Sequence, residues 1–186
     1  MRCINTANYK NCITENGISI SGDRGKKIGF TGQCLPILAP KKEFWQVWHD
    51  NIGKISEEEN TKYYITEYYK QVLSKLDPEE IYSMIPEDGI LLCYENNIEF
   101  CHRHLVAFWF ELFLGIRTSE VYENPKRETR RVLPRPEYLK NILEEVIKDN
   151  YDMQEFDNIK DAYEYNKKQK KKKNKKLNLE LQLTSN

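Results

Sequence analysis

Residues 90–112 read ILLCYENNIEFCHRHLVAFWFEL, two apolar runs with a polar break between them. The first follows Pro86–Asp88 and is short and continuous. Such a run, bounded by turn residues, predicts a strand covered on both faces, as in a parallel sheet. The second is apolar almost all round from Leu105 to Leu114, which predicts a buried helix. Gly115 is suited to end it in the left-handed conformation. Cys93 and Glu95 then fall at the C-terminal end of the strand. Cys101, His102, Arg103 and His104 fall at the first turn of the helix. In open α/β sheets, ligands bind at such junctions.

Working outward, RCINT (2–6), ISIS (18–21) and IRTSEVY (116–122) read as further strands. Amphipathic spacing predicts a helix over 41–50, with Phe44, Val47 and Trp48 on its apolar face. It predicts another over 61–76, and a third within 135–149 with Tyr138, Ile142, Leu143 and Val146 inward. LDPEEIYSMI opens a helix with Asp77 as cap and Pro78 in its first position. Residues 52–60 read as a polar connection. Residues 21–40 carry Gly22, Gly25, Gly29 and Gly32 and read as a loop. Loops of that length are unusual in compact domains.

Strand–helix alternation in the second half implies right-handed crossovers. The fold class expected is α/β: a three-layer, mostly parallel, Rossmann-like sheet in a single domain, 1–149. Residues 150–165 are expected as a marginal helical extension and 166–186 as a disordered lysine-rich tail.

The 186 residues hold 29 basic and 29 acidic side chains. Eight of the lysines lie in 167–176, so the rest of the chain is net acidic. An acidic body is a poor general surface for nucleic acid. Nucleic-acid contact is therefore expected only locally, through Arg127, Arg130, Arg131 and the lysine tail. The alternative for 124–137 is a solvated connector. No apolar run approaches the length of a membrane helix, so no membrane association is expected. The N-terminus shows no secretory apolar region, and the cysteines are five, an odd number. Both predict free thiols and a cytoplasmic location.

The junction cluster suggests chemistry. A thiol at a helix N-terminus beside Arg103 and two histidines is placed to ionise. Cys101 is the candidate nucleophile, His102 the proton shuttle and Glu95 the orienting carboxylate or base. Arg103, Arg24, His104 and Cys93 are candidate ligand-binding residues, with the arginines as anion clamps. Positions 102 and 104 lie about 200° apart on a helix, so both histidines cannot face one ligand. Structural alternatives stand beside these roles. Cys93 reads first as a small core residue, and Arg103 equally as the partner of Glu95 in an ion pair. The types Cys93, Cys101, His102 and His104 suit zinc, but the spacing C-x7-C-H-x-H is not a usual zinc pattern, so no metal is expected. A Cys93–Cys101 disulfide requires Cα atoms within about 7 Å. GDRGKKIGFTG could cradle phosphate with backbone N–H groups, although it is no Walker loop; an exposed mobile loop is the alternative.

The segments LDPEEI, ILLCYENNIEFCHRHLVAFWFE and GIRTSEV together resemble the bacterial and archaeal family catalogued as domain of unknown function 488. Its hallmark is a strand ending in Leu-Cys-x-Glu followed by Cys-His-Arg at a helix start. These are Leu92, Cys93, Glu95, Cys101, His102 and Arg103 here. ISISGDRG and LAPKKEFW resemble the family's N-terminal segments, with Arg24 at the place of a family arginine. The resemblance spans about residues 2–121. It implies a compact α/β domain with the Cys-Glu-Cys-His-Arg set as a shared pattern, and it supplies no activity, substrate or cofactor.

The function expected is an enzyme for a small anionic, phosphorylated or nucleotide-like ligand. A noncatalytic nucleotide or nucleic-acid binding module is the first alternative, and a metal- or redox-sensing thiol protein the second. The sequence names no cofactor.

Overall fold

The computed structural model describes residues 3–12, 15–124 and 129–184. Six strands form one sheet: β1 (Ile4–Asn8), β2 (Gly17–Ser19), β3 (Gln33–Cys34), β4 (Ile90–Cys93), β5 (Thr118–Asn124) and β6 (Thr129–Leu133). Their order is β3-β2-β4-β1-β5-β6. The first five are parallel, with Thr6 of β1 in register with Leu91 of β4 and Glu120 of β5. β6 returns antiparallel to β5. The segment 124–137 is thus partly an edge strand rather than a connector. The helices are α1 (Lys42–Asn51), α2 (Glu57–Gln71), α3 (Pro78–Met84), α4 (His102–Leu114), α5 (Tyr138–Asn150) and α6 (Ile159–Thr184). The α/β class and the mostly parallel, Rossmann-like sheet are as the sequence predicts.

Chain direction explains how the faces are covered. The connections β3→β4 and β4→β5 both step toward the β5 edge, so right-handed crossovers send both to one face. All six helices contribute buried residues or close neighbours to a single large core there, with Ile4, Ile18, Ile20 and Leu91 as the sheet's contribution. The connections β1→β2 and β2→β3 step the other way and so cross the opposite face. They are short, and where a third layer of helices is expected they supply Tyr9 and Phe30 instead. These rings pack with Ala7, Ile90, Leu92, Val121 and Tyr94. Gly25 serves this packing: its φ is +75°, and a Cβ there would lie 2.6 Å from Phe30 Cβ.

Local signals account for the helix ends. Asp77 Oδ1 accepts from the N–H groups of Glu79 and Glu80, capping α3 as expected. α2 begins earlier than the apolar pattern predicts, because Ser56 and Glu59 form a reciprocal capping box inside the polar stretch. α4 ends at Gly115 with φ +64°. On α5 the buried positions are Leu139, Leu143, Val146 and Ile147, while Tyr138 is exposed, one position off the expected stripe.

α6 differs most from expectation. It runs unbroken through 159–184, beyond the boundary at 165 and through the lysine run. Ile159, Ala162 and Tyr163 dock it on the core. Tyr163 donates to Asp77 (3.0 Å), and Lys167 pairs with Glu79. Lysine is a good helix former, so the anchored first turns propagate into the exposed stretch 168–175.

Candidate functional site

The C-terminal ends of β2 and β4 open into a cleft of about 660 Å³. It lies where successive connections reverse direction across the sheet, the switch point at which such folds bind ligands. Ser21, Gly22, Asp23 and Lys27 form one wall, Lys42, Trp45 and Trp48 of α1 another. Cys93, Tyr94, Glu95, Phe100, Cys101 and His102 come from the β4–α4 junction, and Tyr64 from α2. Trp48 and Tyr64 both pack on Phe100, with ring centroids 5.5 and 4.9 Å apart.

The first wall is built by one carboxylate. Asp23 accepts from the Tyr94 hydroxyl (2.6 Å), the Ser21 hydroxyl and the N–H groups of Gly25 and Lys27. Burial works against its ionisation, yet these donors, Tyr94 first, hold its pKa at about 2. Asp23 thereby ties the start of the glycine-rich segment, residues 21–27, to Tyr94 as a wall of the cleft.

At the cleft floor, Cys101 occupies the N-cap of α4 with extended backbone, φ −155° and ψ 142°. Its thiol donates to Glu95 Oε2 at 2.8 Å. His102 Nε2 lies 2.9 Å from the Ile20 carbonyl oxygen. A carbonyl only accepts, so Nε2 carries the hydrogen and Nδ1 faces the sulfurs, 3.7 Å from Cys93 Sγ and 3.9 Å from Cys101 Sγ. Cys93 Sγ, Cys101 Sγ and a His102 ring nitrogen lie within 4.8 Å of one another, a set among the described residues that could hold a metal ion.

These contacts set the protons. Burial alone would raise the Cys101 thiol; the Cys93 hydrogen bond, the Arg103 charge and His102 outweigh it and hold the thiol well below its ordinary range. Burial, then the Cys101 charge and hydrogen bond, lift Glu95 to about 7. One proton is thus shared between Cys101 and Glu95 near neutral pH. Burial disfavours a charged His102, but Cys101 and the Ile20 carbonyl raise it. The hydrogen bond with Cys101, then burial, push Cys93 far up, so it remains a thiol.

Of the seven residues singled out in the sequence, the cleft brings together Cys93, Glu95, Cys101 and His102. It does not include Arg24, Arg103 or His104. Arg24 is exposed, with φ +60°, while its neighbours Asp23 and Lys27 form the wall. Arg103 is fully buried and pairs with Glu120 of β5, not Glu95. Its Nη2 also donates to the Asn96 carbonyl. His104, also fully buried, sits behind it with neither ring nitrogen hydrogen-bonded. The expected divergence of His102 and His104 around the helix holds: one faces the cleft, the other the core. An arginine one position into a buried helix is forced inward, so it cannot serve as an anion clamp here.

Sequence reasoning passed over Asp23, Lys27, Lys42, Trp45 and Tyr94. Trp45 and Lys42 lie off the apolar stripe of α1, and an unneeded tryptophan beside a lysine was the available signal. Of the basic residues assigned to nucleic acid, Arg127 lies outside the described residues. Arg130 pairs with Glu123 at 2.9 Å, and Arg131 is exposed on β6. Among the described residues, no helix is long and apolar enough to cross a membrane.

No family model, no curated protein and no solved structure matches the chain.

Proposed function

We propose that the cleft is an active site for a small ligand with a flat apolar body and an anionic group, and that Cys101 is its nucleophile. The observation that carries this reading is the 2.8 Å contact between the Cys101 thiol and Glu95 Oε2 at the cleft floor. Glu95 is half-buried and lines the same cleft, so it can take the thiol proton and return it to a leaving group. His102, held by the Ile20 carbonyl and with its pKa raised by Cys101, stabilises the thiolate in its protonated form, donating from Nδ1. In the step proposed, the Cys101 thiolate bonds to an electrophilic centre, the bond to the leaving group breaks, and the leaving group takes the proton from Glu95.

Lys27 and Lys42 supply the positive charges for the anion, the role first given to Arg24 and Arg103. Trp45, Trp48 and Tyr94 supply apolar and aromatic surface for the body of the ligand. Nucleotide-like ligands have this combination of a flat base and a phosphate. The likeness to the domain of unknown function 488 family belongs to this proposal, since it marks four of the cleft residues without supplying a reaction.

The test incubates the chain with a panel of nucleoside mono- and diphosphates and follows binding, turnover and the intact mass of Cys101. Expected is turnover or a Cys101 adduct that is lost in Cys101→Ser and kept in Cys34→Ser, with binding preserved in both. Binding without turnover or adduct would make this a binding module and overturn the enzymatic reading.

A further inference from the structure

Three soft ligand atoms converge beneath the cleft. Cys93 Sγ and Cys101 Sγ stand 3.7 and 3.9 Å from His102 Nδ1. All three residues' ligand atoms lie within 4.8 Å of one another. Around a tetrahedral zinc ion, with Zn–S about 2.3 Å and Zn–N about 2.0 Å, sulfur and nitrogen ligands stand about 3.5 Å apart and two sulfurs about 3.8 Å. The sulfur–nitrogen spacings are close to those of an assembled ligand set.

A second, independent feature concerns the histidine. Its far nitrogen, Nε2, is tied to the Ile20 carbonyl at 2.9 Å, which fixes the tautomer with the Nδ1 lone pair toward the sulfurs. Backbone anchoring of the non-ligating nitrogen is how proteins orient metal-bound histidines. The objection that adjacent residues 101 and 102 make awkward ligands is answered by the backbone. Cys101 is extended at the N-cap, while His102 begins the helix. The chain turns between them, and both side chains reach Cys93. His104, the fourth ligand type considered from sequence, is buried against Glu120 instead.

We propose that Cys93, Cys101 and His102 bind one soft divalent cation of the zinc type through two thiolates and Nδ1. The fourth position faces the cleft, beside the Glu95 carboxylate. Binding exchanges protons for metal: each thiol loses one as its sulfur bonds the ion, and no electron is transferred. The inference goes beyond the proposed reaction and does not depend on it. A metal-bound Cys101 has its lone pair committed, so the ion and an electrophile compete for one sulfur.

The full chain, stripped with a chelator and kept reduced, is titrated with Co²⁺. Expected are a near-ultraviolet thiolate-to-cobalt band and the visible bands of a tetrahedral ion, saturating at one ion per chain and displaced by Zn²⁺. Cys93→Ser should weaken binding by about 100-fold or more, whereas Cys34→Ser should leave it unchanged. Because a core variant can fail to fold, a second measurement uses the unaltered chain: Zn²⁺ should protect Cys101, but not Cys34, from N-ethylmaleimide, mapped by mass spectrometry. Absence of the cobalt band together with absence of protection overturns the proposal. So does a folded Cys93→Ser chain that binds Co²⁺ as tightly as the parent. Neither readout involves turnover. A cobalt band on a chain inert toward every ligand counts against the reaction alone; an adduct-forming Cys101 with no band counts against the metal site alone.

Discussion

Arg103 and Glu120 meet out of reach of solvent, with Nη2 3.0 Å from Oε1 and both side chains fully buried. Arg103 Nε also donates toward both carboxylate oxygens, at 3.3 and 3.2 Å. Thr6 donates to Glu120 Oε2 at 2.6 Å. The pair fastens α4 to β5 and β1 just behind the cleft floor, and its arginine charge helps to hold Cys101 ionised. What the sequence offers as an anion clamp is a structural tie with an electrostatic effect on the site.

Removing one partner of this pair leaves a buried charge uncompensated. Glu120→Ala should therefore destabilise the fold by about 3–5 kcal/mol, read as a lower urea midpoint. Arg103→Ala should cost a comparable amount and also raise the Cys101 thiol pKa. If Arg103→Ala leaves the urea midpoint unmoved, the pair is not what holds α4 to the sheet.

The shared proton predicts a kinetic signature. In metal-free protein, iodoacetamide should alkylate Cys101 with an inflection near pH 7, where Glu95 gives up the proton, rather than near the ordinary thiol value of about 8.5. In Glu95→Gln the inflection near 7 should vanish, since the carboxyl that titrates there is gone while Arg103 and His102 still hold Cys101 well below its ordinary range. An unchanged profile would separate Glu95 from the chemistry.

His104 predicts a dependence of stability on pH. Burial, then Arg103, lower its pKa to about 3; Arg135 and His102 act in the same sense and Cys101 against it, with Glu120 3.7 Å away. The unfolded chain takes up this proton near pH 6.5 and the folded chain does not, so stability is full above 6.5 and falls as pH drops toward 3. His104→Leu should remove about 3 kcal/mol of the loss between about pH 7 and pH 4. At neutral pH it should be nearly neutral, because it deletes two buried nitrogens without partners. Urea titrations at both pH values measure the difference.

Segments whose local pattern matches their environment were legible in the sequence. ILLC as a covered strand, the all-round apolar α4, Asp77 as a cap and Gly115 as a terminator follow from periodicity and capping alone. The junction cluster was legible for the same reason, because strand end and helix start are adjacent in the chain. Glu120 was not, although it is an acid within a strand, since only the register of β5 against β1 turns it toward α4. The aromatic and lysine walls come from residues 42–48 and 21–27, which chain reversal across the sheet brings to the cleft from more than forty positions away. The second face was misjudged because strand order, not strand composition, decides which face a crossover covers.

Asp77 joins two elements, so its loss should be felt twice. It caps α3 and accepts the Tyr163 hydroxyl of α6. Asp77→Ala should cost about 1–2 kcal/mol, while Tyr163→Phe, which spares the cap, should cost about 1 kcal/mol or less. Burial raises the Asp77 pKa, but the Glu80 N–H, the Tyr163 hydroxyl and Lys167 together hold it below its ordinary value. Its contribution is therefore present above about pH 4 and is lost as pH falls further. Limited proteolysis within α6 should accelerate in both variants.

The lysine-rich half of α6 should be separable from the fold. Lys168, Lys170, Lys171, Lys172, Lys173 and Lys175 are exposed, whereas the docking residues Ile159, Ala162 and Tyr163 precede them. A chain ending at Lys167 keeps the Glu79 and Asp77 contacts and should unfold at the same temperature as the full chain. Its affinity for nucleic acid should fall, because the remaining surface is net acidic and six or more phosphate contacts account for a loss of about 1,000-fold between 50 and 200 mM salt. On immobilised single-stranded DNA, the full chain should be held at low salt and released across that range, and the shortened chain should flow through. Equal retention of both chains would move the basic surface to β6, where Arg130 and Arg131 lie.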